Sequence, residues 1–600
     1  MSESRDMPLL LPRPKRITLT RGVVDRTVLD KVRWEETPRV DLPSDSAGAH
    51  RIVISAHGTR IQAEPAADFD NGFTRAQCTI DQLKVAYGAD VPAMVIEDWP
   101  SFATRGLMLD VSRDRVPTIE QLESIADFME SVKLNHLQLY TEHTYRYAGH
   151  EEVWREWSPL TPGEVKHFDI YCAARGIQLS ANQNCFGHLA KWLNHPKYQH
   201  LAETLGDWVF QNETEAFPRS GPFSLCPTDP RSIEFVKDLL GQLLPCFYSP
   251  LVNIGCDETF DVGWGRSKQA VAERGRSAVY MDFVKQISDV VKSHDKRPMF
   301  WADIALTDPK SIPLIPKEMI GLAWGYEPDA KFGEWCSQLR DAGHEAWVCP
   351  GTSSWRSITG RTDERRANIR RAAREGAANG ATGFLITDWG DSGHHQQWPI
   401  ALHAIAEAAD AAWNADELET YDPRAASLHA FGDKSLKVAT WLDELGNADA
   451  AMRLRGGRVS EGQTPTHLRN SSVLFCDLHM PDRPAKNDDD KLRRGLTSLP
   501  VELWEQTVNR IHELANSRPS VGEQIDAELS HTLDVACFAA VRGLWRRTGK
   551  YSTKERGDLA NWLRTIIDRH RGLWLRRSRP GGLQDSCSFY ERILQDLEAP

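Results

Sequence analysis

Two adjacent acids, Asp257 and Glu258, close the apolar run Leu-Val-Asn-Ile-Gly-Cys at residues 251–256. A buried strand has little reason to end in paired carboxylates unless they meet a ligand. Strand alternation sends Val252, Ile254 and Cys256 to one face and Asn253, Gly255 and Asp257 to the other, with Glu258 opening the next loop, so both acids are expected to reach one pocket. Two carboxylates this close cannot ionise independently; one should keep its proton near neutral pH while the other stays charged. That division suits a general acid beside an orienting anion. The competing reading makes Asp257 a helix cap and Glu258 a first-turn acid, where the helix dipole favours negative charge.

The elements that must position this pair alternate along the chain. From about Leu107 to Trp413, short apolar runs alternate with amphipathic stretches, the pattern of βα units on a parallel sheet. Eight strands are expected, near Leu107–Val111, His136–Tyr140, Gln178–Ala181, Val252–Gly255, Pro298–Trp301, Ile320–Ala323, Glu345–Val348 and Gly383–Thr387. Helices fall between them, as at Thr118–Val132, Gly163–Arg175, Arg231–Leu244, Ser277–Ser293 and Asp363–Glu375, and Pro399–Trp413 follows the last strand. Eight such units in about 300 residues point to an α/β fold, a (β/α)8 TIM barrel. A doubly wound sheet is the rival, but no Gly-x-Gly-x-x-Gly follows a strand. Residues 1–100 are expected to form a small α+β domain, with a strand at Arg51–Ala56 and a helix at Phe73–Ala86. Residues 101–415 are the barrel, and 416–600 a mainly helical C-terminal domain with helices at Pro500–Ser517, Gly522–Arg547 and Thr553–His570. Met480–Arg494 reads as an exposed loop.

A barrel of this kind carries its site where strands end. The residues there are Asp110 and Arg113, Glu142 and His143, Asn182 and His188, Asp257 and Glu258, Trp301 and Asp303, Trp324, Trp355, then Trp389 and Asp391. Indole faces in a pocket suit sugars, whose C–H faces pack on them while hydroxyls need charged partners at the rim. Arg113, Glu142 and Asp391 could supply those partners; Asp391 could equally cap the Gly-rich loop that holds it. The histidines show no His-x-x-x-His or His-Glu-x-x-His spacing, so neither His188 nor His394-His395 reads as a metal site and no cofactor is implied. No Gly-x-Ser-x-Gly elbow supports serine nucleophile chemistry.

The net charge of −12 and the absence of a basic stripe argue against nucleic acid as a partner. No apolar run approaches the length of a membrane span, and Met1–Lys15 lacks the features of a signal peptide. Eleven scattered cysteines without a Cys-x-x-Cys pair read as reduced thiols, making the cytoplasm the expected compartment.

At this level the chain resembles the family 20 glycoside hydrolases, the β-N-acetylhexosaminidases. The resemblance runs through Arg105–Arg113, Arg175-Gly176-Ile177 with Gly187-His188, Ile254–Glu258, and Trp389-Gly390-Asp391, and Asn182–His188 looks most like the intracellular hexosaminidase D branch. It implies an exo-acting enzyme that releases terminal GlcNAc or GalNAc from a small oligosaccharide or glycoside by a retaining, substrate-assisted mechanism. Glu258 would be acid and base, and Asp257 would orient the acetamido group. Arg113 and Asp391 match positions that hold sugar hydroxyls, Trp301, Trp324 and Trp389 match the pocket walls, and His188 matches the histidine behind the acid. Three departures stand out, one being that the family's Glu near the last strand is here the shorter Asp391. The family's Asp-Asp after the second strand is here Glu142-His143. The tyrosine that bonds the acetamido oxygen has no counterpart, its region reading Pro350–Trp355 with Trp355 in its place. Two rival expectations follow: an exo-β-glycosidase for a sugar without the acetamide, and a non-catalytic sugar-binding barrel. The helical C-terminal domain suits either homodimerisation or shaping of the pocket mouth.

Overall fold

The computed structural model describes residues 7–36, 42, 48–64, 71–211, 216–456, 468–480, 499–549 and 552–599. The stretch Met480–Arg494, read above as a loop, lies outside them except for Met480. Strands β1 (Arg16–Asp25), β2 (Val32–Glu36), β3 (His50–Ser55), β4 (Gly58–Ala63) and β5 (Asp90–Asp98) form a sheet of order β1-β5-β3-β4-β2. Its apolar side, with Ile52, Ile54, Ile61, Met94 and Ile96, packs on Ala76, Ile80 and Leu83 of helix Gly72–Ala86.

The chain then closes a barrel of eight strands: β6 (Thr104–Asp110), β7 (His136–Thr141), β8 (Gln178–Gln183), β11 (Leu251–Asn253), β12 (Arg297–Trp301), β13 (Ile320–Trp324), β14 (Glu345–Cys349) and β15 (Gly383–Asp388), β15 pairing back to β6. Every pairing in it is parallel, so both strand faces are buried, which is why these segments read as near-continuous apolar runs. Helices between strands start where the sequence supplies caps. Thr118 accepts from Gln121 N, and Thr161 with Glu164 forms a capping box ahead of Pro162. Inside the barrel lie Met108, Met299, Ile320, Leu322, Trp347 and Leu385. A polar girdle crosses this interior, Gln138 Oε1 accepting from both Asn182 Nδ2 and Asn253 Nδ2 at 3.0 Å.

A hairpin, β9 (Asp207–Gln211) with β10 (Ala216–Ser220), rises from the long connection after β8. No periodicity in the sequence announces it. The helices beyond the barrel, including Val501–Ser517, Glu523–Thr548, Thr553–Arg577 and Leu583–Glu598, share their own apolar core. They return to the barrel along one seam, where Arg579 N donates to Val116 O and Arg579 Nη2 meets Glu164. Deeper in the seam, His395 stacks on Tyr590 at 4.4 Å and on His479 at 5.3 Å, with His570 edge-on at 5.6 Å and His531 beyond it. His395 therefore serves packing between the barrel and the C-terminal helices, while His394 Nδ1 lies 3.2 Å from Arg113 O.

Candidate active site

The acid pair departs from the expected strand geometry. β11 ends at Asn253, and Gly255, Cys256 and Glu258 all take left-handed backbone angles (φ 70°, 77° and 52°), so strand alternation does not continue through the pair. Gly255 is required: a Cβ there would lie 1.8 Å from Asn184 Oδ1. A Cβ on Gly187 would stand 2.7 Å from Asp257 O, so that glycine lets the loop carrying His188 press against the acids. Non-glycine residues in left-handed conformations carry strain that the surroundings must hold. Here Asp303 accepts from Glu258 N at 3.1 Å, and Tyr280 Oη donates to Cys256 O at 2.8 Å.

The expected partners converge. Arg113 donates to Asp110 at 3.0 Å and to Tyr140 Oη at 3.2 Å, and stands 3.4 Å from Glu142 and 3.3 Å from Asp391. Its guanidinium lies over the rings of Trp389 and Tyr140, 4.7 and 4.8 Å from their centroids. Asp110 also accepts from Gly390 N, tying the loop after the first barrel strand to the loop after the last. His188 Nε2 lies 3.2 Å from Asp257 and 3.4 Å from Glu258. Glu142 sits behind that ring, 4.0 Å from Nδ1, and accepts from Tyr140 Oη. His143 takes no part; its ring is buried edge-on against Trp157. Asn182 belongs to the barrel interior.

Burial and neighbouring charge compete at each of these groups. Burial raises the Glu258 carboxyl, and repulsion from Asp257 adds to this, while His188 and Arg113 pull it back; the balance lies above the ordinary glutamate range. Burial would strip His188 of its charge, but Asp257 and Glu258 overcome it and lift the ring to about 9. Arg113 Nη2, 3.2 Å from Nδ1, fits the neutral tautomer with its proton on Nε2; that Nε2 proton, facing the acids, is common to both forms. Asp303, buried beside Asp257, is driven well above the ordinary aspartate range.

Around the acids a pocket is lined by Arg113, His188, Trp301, Trp324, Trp355, Trp389 and Asp391. It includes two residues that the sequence reading missed. Tyr326, two positions past the end of β13, stacks on Trp324 at 5.2 Å and meets Trp355 edge-on at 5.0 Å, and its hydroxyl accepts from Trp389 Nε1 at 2.8 Å. A tyrosine thus stands in the pocket after all, arriving from a different strand, while Trp355 is a fully buried wall. The signal was its position just past a strand end. Asn470 comes from the C-terminal segment, with nothing in its neighbourhood to announce it. Asp257 Oδ1 and Trp301 Nε1 are buried with no hydrogen-bond partner in the protein. Among the described residues no three His, Cys, Asp or Glu side chains converge as metal ligands, and no helix is long and apolar enough to cross a membrane.

Residues 102–371 match the catalytic domain of glycosyl hydrolase family 20. The match runs from just ahead of β6 into the helix before β15, less than half of the chain. Relatives include a β-N-acetylhexosaminidase of Cellulomonas fimi, 26% identical over 49% of this chain and 57% of that protein, and a β-hexosaminidase of Akkermansia muciniphila, 23% identical over 48% and 63%. Human hexosaminidase D is 21% identical over 38% and 46%, so identity does not single out that branch. The chain spans about half to two thirds of the length of these relatives. A chitobiase structure from Flavobacterium johnsoniae shares the fold over 94% of this chain and 99% of its own (TM-score 0.56, 15% identity). A Streptomyces plicatus N-acetyl-β-hexosaminidase does so over 73% and 97% (TM-score 0.52, 18% identity).

Proposed function

We propose that the protein is an exo-acting β-N-acetylhexosaminidase that cleaves terminal GlcNAc or GalNAc with retention, the substrate's own acetamido oxygen acting as nucleophile. The observation that carries this reading is Asp257 Oδ1, a buried carboxylate oxygen with no hydrogen-bond donor, one residue from an acid whose pKa is raised. Leaving such an acceptor unpaired is costly, and an amide N–H of the bound sugar would satisfy it.

Glu258, carrying its proton, donates it to the glycosidic oxygen as the bond to the anomeric carbon breaks. The acetamido oxygen closes on that carbon, giving an oxazolinium ion whose N–H is held by Asp257. Water, deprotonated by Glu258, then opens the ring and restores the acid. His188, bearing its proton on Nε2, sits where it limits the repulsion between the two acids. Tyr326 has its own O–H to donate, and we assign to it the contact with the acetamido oxygen for which the sequence showed no candidate. That assignment favours the N-acetyl substrate over the acetamide-free alternative. Arg113 and Asp391 hold hydroxyls, and the four tryptophans and Tyr326 surround the ring. Eleven cysteines without a disulfide between them fit a reducing compartment such as the cytoplasm.

The test is hydrolysis of aryl β-GlcNAc, β-GalNAc and β-glucoside, with and without a thiazoline analogue of the oxazolinium ion. Turnover confined to the N-acetyl substrates and blocked by the thiazoline is expected. Cleavage of the plain glucoside untouched by the thiazoline would overturn the mechanism.

A further inference from the structure

A second cavity, about 410 Å³, opens beside the sugar pocket and shares with it Glu258, Trp324, Tyr326, Asp391 and Asn470. A glycosidic oxygen protonated by Glu258 must lie at the junction of the two, so the larger cavity is where the departing group sits. We propose that this cavity is an aglycone subsite for a ring bearing an anionic group, a uronic acid or a sulfated sugar. The inference rests on Glu258 marking the scissile bond.

One wall comes from the hairpin that the sequence did not announce. Phe210 and Phe217 stack at 4.7 Å with their planes 16° apart, and Phe260 braces Phe210 edge-on at 4.7 Å. The hairpin is tied down by Trp208, whose Nε1 donates to Gly221 O at 3.0 Å. Trp335 and Leu306 also line the cavity, which makes it a slot for a flat or pyranose ring.

The charge of the lining decides which ring. Each of its five acids already has a partner, Glu258 facing His188 Nε2 at 3.4 Å. Asp391 faces Arg113, Asp329 pairs with Arg469 at 3.0 Å, and Glu327 accepts from Asn470 N and stands 3.9 Å from buried Arg361. Asp303 accepts from the backbone of Glu258 and is buried beside Asp257, which favours its neutral form. Two of the cations have no such partner. Arg219 lies over the phenylalanine pair, 5.2 Å from Phe217, and Arg356 is held in a left-handed turn (φ 46°) by the bonds its carbonyl accepts from Ser471 and Ser472. Among the described residues neither forms an ion pair with a carboxylate. A guanidinium fork matches a carboxylate or sulfate with two parallel hydrogen bonds, and a partly enclosed cavity weakens solvent screening of that contact.

Binding can be read without turnover. On the Glu258→Gln background, calorimetry would compare GlcNAc-β-1,4-glucuronate with GlcNAc-β-1,4-glucose, then repeat both with Arg356→Gln or Arg219→Gln added. Expected is about tenfold tighter binding of the uronate disaccharide, shrinking as salt rises and falling towards equality in each double variant. Arg219 stands on an exposed hairpin, so its variant keeps the test alive if the Arg356 variant fails to fold. Equal affinity for the two disaccharides, or a preference that survives both arginine substitutions, would overturn the inference. Failure of the functional reading would show separately, as absence of turnover by the unmutated protein.

Discussion

Histidine is buried in two regions of this molecule, and burial has opposite outcomes for the ring in each. At the mouth of the barrel, His188 faces two carboxylates and is lifted to about 9. In the seam with the C-terminal helices, His395, His479, His531 and His570 lie among one another and near arginines, Arg115 for three of them and Arg592 for His479, and all are pushed down, His479 to about 4 and His531 to about 3. Burial penalises the charged ring in both places; the sign of the neighbours decides the outcome. The mouth spends folding energy to keep charges ready for chemistry. The seam keeps its rings neutral and uses them as flat, weakly polar packing.

Replacing Glu258 by Gln strikes the charged region hardest. kcat/KM for an aryl N-acetylhexosaminide should fall by about 10³-fold, within the range for general acid–base groups. A loss under tenfold in steady-state assays would remove Glu258 from the chemistry.

His188→Asn tests whether the cation really opposes the two acids. Without it Glu258 loses a charge that lowers its pKa, so the basic limb of the kcat/KM profile should move to higher pH, with a fall of about 10–100-fold at the optimum. A drop in rate with the limb unmoved would mean that the ring only packs.

The seam predicts acid sensitivity of stability. Below pH 6.5 the unfolded chain protonates these histidines while the folded chain does not, until pH nears 4 for His479 and 3 for His531. Stability is therefore fully present above 6.5 and lost as pH falls through that window, by about 1.4 kcal/mol per pH unit for each histidine kept neutral. Calorimetric Tm values flat from pH 7 to 5 would contradict it.

His531→Phe should give the smallest change. Neither ring nitrogen of His531 has a hydrogen-bond partner, so the substitution removes a protonatable site without stranding one. Relative to the unmutated protein, it should gain about 2 kcal/mol at pH 5 and nearly nothing at pH 7.5, measured by denaturant unfolding.

The barrel was legible because buried parallel strands write themselves as apolar runs. All eight appeared within a few residues of their observed places, from β6 at Thr104–Asp110 to β15 at Gly383–Asp388. The convergence of Arg113, His188, Asp257, Glu258 and Asp391 followed from strand ends lying on one face. What escaped depends on contacts that local pattern does not encode. The left-handed turns at Gly255, Cys256 and Glu258 are held by Asp303 and Tyr280 from later elements. Tyr326 follows β13, so it fills from the neighbouring strand a space that the run Pro350–Trp355 after β14 leaves without a tyrosine. The β9–β10 hairpin alternates too briefly to stand out from its long connection.

Asn470 bears on how such a site can be altered. It lines both cavities, yet it lies almost a hundred residues past the end of the segment that matches the family, and Trp389 and Asp391 also fall outside that segment. Arg113, His188, Asp257 and Glu258 lie inside that segment, whereas part of the rim is contributed by a stretch of chain far outside it. The lining at Asn470 can therefore be redrawn without touching the strand ends that hold the acid pair.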